Sequence, residues 1–345
     1  MQQQQARFAG GLVPRMLRRA CMHTSARHAR AFSSVDPSDV AHFSRLAQHW
    51  WDESGEFALL HRMNRVRIEY MRAKLDEVRG WDAACADVLG RGVRAPPAPA
   101  AFLQGTDLLD IGSGGGLLCE SAARLGARVT GVDASAENVS VAALHAAADP
   151  ALTVRGADDE PTDGSIAYLH STAEALRAQG RQFDVVTAME VVEHVNEPAE
   201  FLRSVAALVR PGGHLFMSTM ARTPLSYLLT IVLAEHVLRL VTPGTHRHAQ
   251  YVNPRELVGF FRDLGWIRRP DDLARRSTLP DGTPLAPEPA RVQFETRGTW
   301  YVPWTGRWEL APPAAYDMRG AERGTSERLT EQCNYFFWVR RPTDQ

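Results

Sequence analysis

The sequence predicts an α/β fold: a doubly wound, mostly parallel sheet with a helical cap on its N-terminal side. Three observations predict it. From residue 103 onward, short apolar runs alternate with segments of helical spacing across short connections, the pattern of a sheet covered on both faces. A glycine cluster follows the first run. A single acid, Asp133, ends the second, and open α/β sheets bind ligands at such strand ends.

The elements follow in order. Residues 38–51 have helical spacing with Ser38 as N-cap, and 66–79 read as a second helix, so 33–90 form the cap. The Gly/Pro/Ala stretch at 91–102 is a linker into the domain at 103–345. Strands are expected at 106–111, 128–132, 183–188 and 214–219, and helices at 117–125, 137–148 and 198–209. Pro211-Gly212-Gly213 reads as a turn, and 333–339 as the last strand. The acidic stretch at 156–165 is expected to bulge into solvent. Residues 270–330, rich in Pro, Arg and Gly, read as an irregular insertion.

Composition narrows the function. Across 345 residues, 44% are hydrophobic and 23% charged, which excludes a disordered chain, a fibrous repeat and an integral membrane bundle. The formal charge of −1 offers no basic field for nucleic acid. Cys21, Cys85, Cys119 and Cys333 are far apart and form no C-x-x-C pair, which favours a reducing compartment.

The first 35 residues hold six arginines and no acid. An Arg-rich, acid-poor leader containing Ser describes a mitochondrial transit peptide, here 1–32 with cleavage after Phe32. The alternative is a basic arm that touches acidic partners. Removing six arginines and no acid would take the formal charge from −1 to −7.

Asp110-Ile111-Gly112-Ser113-Gly114-Gly115-Gly116 lies between a strand and a helix, where glycines let a ligand approach backbone and free N–H groups face it. The third glycine falls one position early for a dinucleotide loop, and Leu117 takes its place. The pattern fits S-adenosylmethionine better, with Asp133 accepting from the two ribose hydroxyls.

Glu190, Glu193 and His194 follow the strand at 183–188, and their spacing places them on one helical face. Two carboxylates and an imidazole suit a divalent ion. The same residues also read as pocket wall without metal. The apolar stretch at 225–241 would reach about 25 Å as a helix, short of the roughly 30 Å hydrocarbon core. It is interrupted by Glu235, His236 and Arg239. It reads either as a buried helix or as an interfacial one within a membrane-facing insertion at 222–250.

Several motifs together resemble a known family, the mitochondrial ubiquinone-biosynthesis (demethylubiquinol) O-methyltransferases. They are Trp50-Trp51-Asp52, Gly55-Glu56-Phe57, Leu60-His61-Arg62-Met63-Asn64, the glycine loop, Thr130-Gly131-Val132-Asp133 and the run from Met189 to Val195. Pro211-Gly212-Gly213 and Pro243-Gly244-Thr245-His246 belong to the same set. The likeness covers roughly 38–266, and thinly the tail, where Trp300-Tyr301 and Asn334-Tyr335 look like the family's closing hairpin.

The resemblance implies a class I S-adenosylmethionine-dependent methyltransferase with a seven-stranded sheet. It implies cofactor contacts at Arg67, Gly112, Gly114, Asp133 and Met189. It also implies a divalent metal, expected to be magnesium, on Glu190, Glu193 and His194, which act in catalysis through it. The implied substrates are polyprenylated catechols, methylated on the matrix side of the inner membrane beside other proteins of the pathway. Ser113 stands where Cys is usual and Arg65 where Pro is common, and 270–330 has no recognised counterpart. Three rivals share parts of the pattern: a methyltransferase for another small phenol or acid, a nicotinamide oxidoreductase, and a non-catalytic assembly subunit. The displaced glycine argues against the second, and retention of Gly114 and Asp133 against the third.

Overall fold

The computed structural model describes residues 33–88, 101–268, 290–312 and 329–343. The expected leader at 1–32, residues 91–100 of the expected linker, and 270–289 and 313–328 of the expected insertion lie outside them.

The cap opens with α1 (Pro37–Leu46), whose N-cap is Asp36 rather than Ser38. The Asp36 carboxylate accepts from Ser38 N at 2.8 Å and Ser38 Oγ at 2.6 Å, while Pro37 occupies the first turn, where no N–H is needed. The Ser38 hydrogen bonds, against some desolvation, bring the Asp36 carboxyl down to about 2. A 3₁₀ turn, Ala47–His49, leads to the tryptophan pair. The second helix, α2 (Ala58–Val88), is far longer than the expected 66–79. Its buried stripe of Met63, Val66, Tyr70, Leu75 and Val78 keeps helical spacing throughout.

The sheet has nine strands rather than seven, in the order β3-β4-β2-β1-β5-β6-β9-β7-β8. Six run parallel: β1 (Asp107–Ile111), β2 (Arg128–Asp133), β3 (Thr153–Val154), β4 (Ser165–His170), β5 (Phe183–Met189) and β6 (Val209–Met220). Helices α3 (Leu117–Arg124), α4 (Ala136–Ala148), α5 (Ala173–Ala178) and α6 (Pro198–Ala207) connect them. The acidic stretch expected as a bulge gives way at Ser165 to β4, whose Ile166 and Ala167 are buried beside β2. The expected turn at Pro211-Gly212-Gly213 is absorbed into β6 through a register irregularity against β5 between Phe183 and Val185.

Neighbouring residues of each strand face opposite layers, as a period of two demands. Leu109, Val186 and Leu215 pack with α5, α6 and α8 (Pro254–Asp263) through Leu176, Val205 and Phe261. Leu108, Val185 and Phe216 pack with α2 and α3 through Tyr70, Met71 and Leu118. The crossover reverses at β1, whose neighbours are β2 and β5. That reversal opens the crevice that holds the candidate site.

Three strands complete the sheet antiparallel: β7 (Phe294–Val302), β8 (Arg307–Leu310) and β9 (Asn334–Arg340). Residues 294–310 are therefore a regular hairpin and not part of an irregular insertion. Their sequence carries buried positions such as Phe294, Gly298, Thr299 and Val302 that the Pro/Arg/Gly composition around them obscures. The expected closing hairpin of Trp300-Tyr301 with Asn334-Tyr335 is a pair of adjacent strands, with Thr299 opposite Asn334. Residues 224–237 form a turn of α-helix, α7 (Pro224–Ser226), continued as a π-helix (Tyr227–Val237). Among the described residues, no helix is long and apolar enough to cross a membrane.

Candidate active site

A cavity of about 480 Å³ opens at the carboxyl ends of β1 and β5. Arg67, Gly112, Gly114, Asp133, Met189, Glu190 and His194 all line it. Of the expected site residues, only Glu193 does not.

At the inner end, the loop from β1 to α3 holds Gly112 at φ +70° and Gly114 at φ +53°, a region costly for any side chain. A Cβ on Gly112 would lie 2.6 Å from Val191, and one on Gly114 would collide with the Trp50 ring. Asp133 ends β2 facing this loop. Its Oδ2 accepts from Gly114 N at 2.9 Å, and its Oδ1 from Ser135 N at 2.8 Å and Asn138 Nδ2 at 3.3 Å. Burial pushes its pKa up, opposed by those backbone N–H groups. Below it, burial raises Asp110 to about 6 although Thr187 Oγ1 donates to it at 2.6 Å.

The cap closes this end. Trp50 stacks on Phe57 with ring centroids 3.8 Å apart and donates Nε1 to Asn138 Oδ1 at 2.9 Å. Trp51 donates to the Gly115 carbonyl at 3.0 Å and stacks on His145. His61 Nε2 lies 2.7 Å from the Trp50 carbonyl oxygen, and Asn64 donates to the Leu117 carbonyl at 3.0 Å. The W-W-D and H-R-M-N motifs thus fasten the cap to the glycine loop and α3. Trp50, Asn138 and Asp39 are site residues that sequence reasoning missed. The tryptophans stood in a quoted motif, but nothing local says which loop they cover.

The middle of the cavity corrects an expectation. Glu190, Glu193 and His194 do not share a helical face. Glu190 leaves β5 at φ +56°, an uncommon conformation for a residue with a side chain, and Val192–His194 is a single 3₁₀ turn. That kink turns Glu190 and His194 into the cavity and Glu193 behind its wall, where Thr219 Oγ1 donates to it at 2.9 Å. His194 Nδ1 lies 2.9 Å from Asp39 Oδ2 on α1. Burial pushes the Asp39 carboxyl up, but the His194 and Arg247 contacts outweigh it and hold it below its usual value.

Among the described residues, no three His, Cys, Asp or Glu side chains are grouped to hold a metal ion. The expected trio is therefore not an assembled metal site in this arrangement. Its donor chemistry still suits a hard cation, because Glu190 Oε1 and Glu193 Oε1 are both buried without a hydrogen-bond partner. Burial first, then the charge of Glu190, pushes the Glu193 carboxyl well above its ordinary value. Arg67 is the nearby counter-charge, with Nη2 4.0 Å from Glu190 Oε1. Its own Nε and Nη2 are buried without hydrogen-bond partners.

The outer end is apolar. Leu229, Leu233, Leu238 and Leu240 line one side, and Trp300, Tyr301 and Trp308 also reach the cavity. Leu228 and Val237 are 52% and 63% exposed, whereas Glu235 on the same helix is 1% exposed. The Glu235 carboxylate accepts from Gly244 N at 2.8 Å and His246 N at 3.0 Å, and His246 Nδ1 lies 2.7 Å away.

Known proteins are similar to this chain in sequence. The family description of a methyltransferase domain matches residues 63–267. A protein of Caulobacter vibrioides named "Ubiquinone biosynthesis O-methyltransferase" is 41% identical over 286 residues, 83% of this chain and 93% of that one. One of the same name from Roseobacter denitrificans is 41% identical over 68% of this chain and 83% of its own length. A Schizosaccharomyces pombe protein named "Ubiquinone biosynthesis O-methyltransferase, mitochondrial" is 36% identical over 309 residues, 90% of this chain and 88% of that one.

Proposed function

This chain belongs to the ubiquinone biosynthesis O-methyltransferases, and from that premise we propose that it transfers a methyl group from S-adenosylmethionine to one hydroxyl of a polyprenylated catechol. The observation that carries the finer reading is one continuous cavity. Glycines and Asp133 line its inner end, Glu190 and His194 its middle, and leucines and tryptophans its mouth.

Asp133 accepts from the ribose hydroxyls, and Arg67 donates its unpartnered N–H groups to the methionine carboxylate. Trp50 and Phe57 close over the glycine loop and keep water from the sulfonium. The catechol lies between the methyl group and Glu190, whose buried Oε1 accepts a hydrogen bond from a catechol hydroxyl. A phenol has a pKa near 10, so little is ionised at neutral pH. A divalent cation in the cavity would be held by Glu190 and His194, with Glu193 joining only if its side chain turned in from behind the wall, and it would acidify the catechol hydroxyl as metal ions acidify bound water. Once the hydroxyl has lost its proton to water, the phenolate oxygen attacks the methyl carbon in line, the new C–O bond forming as the C–S bond breaks and S-adenosylhomocysteine leaves. Alignment of the two substrates supplies much of the acceleration.

The Arg-rich, acid-free leader and the S. pombe relative's name support a mitochondrial location. The exposed leucines of 225–240 support docking on the inner membrane, where a polyprenylated substrate resides. Other proteins of the pathway are expected beside it.

The test incubates purified protein with S-adenosylmethionine and a short-chain demethylubiquinol, with and without a chelator. Methylation of one hydroxyl is expected, reduced by chelator and restored by magnesium. No transfer under any divalent metal would overturn the catalytic reading, and transfer indifferent to chelator would remove the metal alone.

A further inference from the structure

The hairpin of β7 and β8 lies at the opposite end of the chain from the cap, yet it reaches the same cavity. Trp300, Tyr301 and Trp308 line the mouth together with Leu233 and Leu238 of the 225–240 segment. Two hydrogen bonds fix its position against α2: Trp308 Nε1 donates to the Leu59 carbonyl at 3.0 Å, and Arg62 donates to the Tyr301 hydroxyl. Its turn is closed by Thr305 N and Gly306 N donating to the Val302 carbonyl, with Gly306 at φ +66°. Pro303 and Gly306 supply what such a turn needs. Nothing in the turn calls for an aromatic residue at 304, yet Trp304 is there and 86% exposed, beside cavity-lining Pro303.

We propose that this hairpin is the second wall of the channel for the substrate's isoprenoid tail, with Trp300 and Trp304 forming the subsite that grips the tail as it leaves the cavity. The proposal rests on the polyprenylated-catechol reading. The occupant follows from continuity: the apolar mouth is the outer part of the cavity whose middle holds Glu190 and His194. An indole has only two side-chain torsions, so even the exposed Trp304 ring presents a broad apolar face at modest entropic cost, which suits a repeating five-carbon unit with no polar atoms.

The experiment compares kcat/KM for a demethylubiquinol analogue without a tail and one bearing two isoprene units. It uses the full chain and its Trp300→Ser, Trp304→Ser and Trp304→Phe variants. The wild type is expected to prefer the tailed substrate. Each serine variant should lower the ratio of tailed to tail-less kcat/KM about tenfold, and Trp304→Phe should restore most of it. An unchanged ratio, or an equal fall on both substrates, overturns the proposal, since a merely structural hairpin would affect both alike. If the wild type methylates neither analogue, the failure belongs to the O-methyltransferase reading and not to the hairpin.

Discussion

The two ends of the cavity are built by opposite rules. At the glycine loop the chain ties its polar groups to one another: Asp133 accepts from Gly114, Ser135 and Asn138, and the cap's tryptophans donate to Asn138 and Gly115. Along 225–240 it buries one glutamate, pairs it with His246, and leaves leucines in the open. A buried carboxylate with partners needs no further ligand to justify its helix, whereas exposed leucines lining a cavity mouth suit an apolar one. The difference teaches that one end is preorganised for a polar molecule and the other is completed by its substrate or a lipid surface.

Several perturbations would break or sharpen that contrast. The largest effect is expected between the two ends. Glu190→Gln should lower kcat about a thousandfold, roughly 4 kcal/mol of transition-state stabilisation, in a steady-state methyl-transfer assay. A fall of less than tenfold would place the chemistry elsewhere in the cavity.

Next comes the inner end. A buried acid whose folded pKa is raised, as Asp110 is to about 6 from 3.8, binds its proton more tightly folded than unfolded. The stability it confers is therefore present below about pH 4 and lost as pH rises through 6. At about 1.4 kcal/mol per pKa unit the rise is worth about 3 kcal/mol over the full titration, of which urea denaturation across pH 4–6 should show roughly 2 kcal/mol more loss in the wild type than in Asp110→Asn. Parallel curves would mean that Asp110 is solvated or otherwise paired.

At the mouth, Leu228→Glu/Leu229→Glu should cut flotation with cardiolipin-containing vesicles about thirtyfold while leaving thermal unfolding within a degree or two. Equal flotation of both proteins would return the segment to the core side of the comparison. The smallest effect is expected at the cap: Trp51→Leu removes the Gly115 hydrogen bond and the His145 stack. It should cost about 1 kcal/mol of stability and raise the S-adenosylmethionine Kd a few-fold.

The same contrast governs what could be read from the sequence. The inner end was legible because local rules dictate it: glycines where φ is positive, and an acid where a strand ends. Strands at 107–111 and 128–133 lie within a residue or two of expectation for that reason. Glu190 and its neighbours were found as residues and misplaced as geometry, because spacing alone assumed a helix where the chain kinks at φ +56°. The His194–Asp39 contact joins residues 155 apart in sequence, and no local pattern announces it. At the mouth, composition misled. The buried positions of β7 show no clean alternation and were hidden by the prolines and arginines around the strand, and a run of leucines at 228–240 says apolar without saying which way it faces.

The central claim is that cofactor binding and chemistry occupy different parts of one cavity. The measurement that tests it most directly is calorimetric titration of S-adenosylmethionine into the wild type, Asp133→Ala and Glu190→Gln. Asp133→Ala, losing hydrogen bonds to both ribose hydroxyls, should bind about a hundredfold more weakly, while Glu190→Gln should stay within about threefold of the wild type. Equal losses of affinity in the two variants would contradict the account.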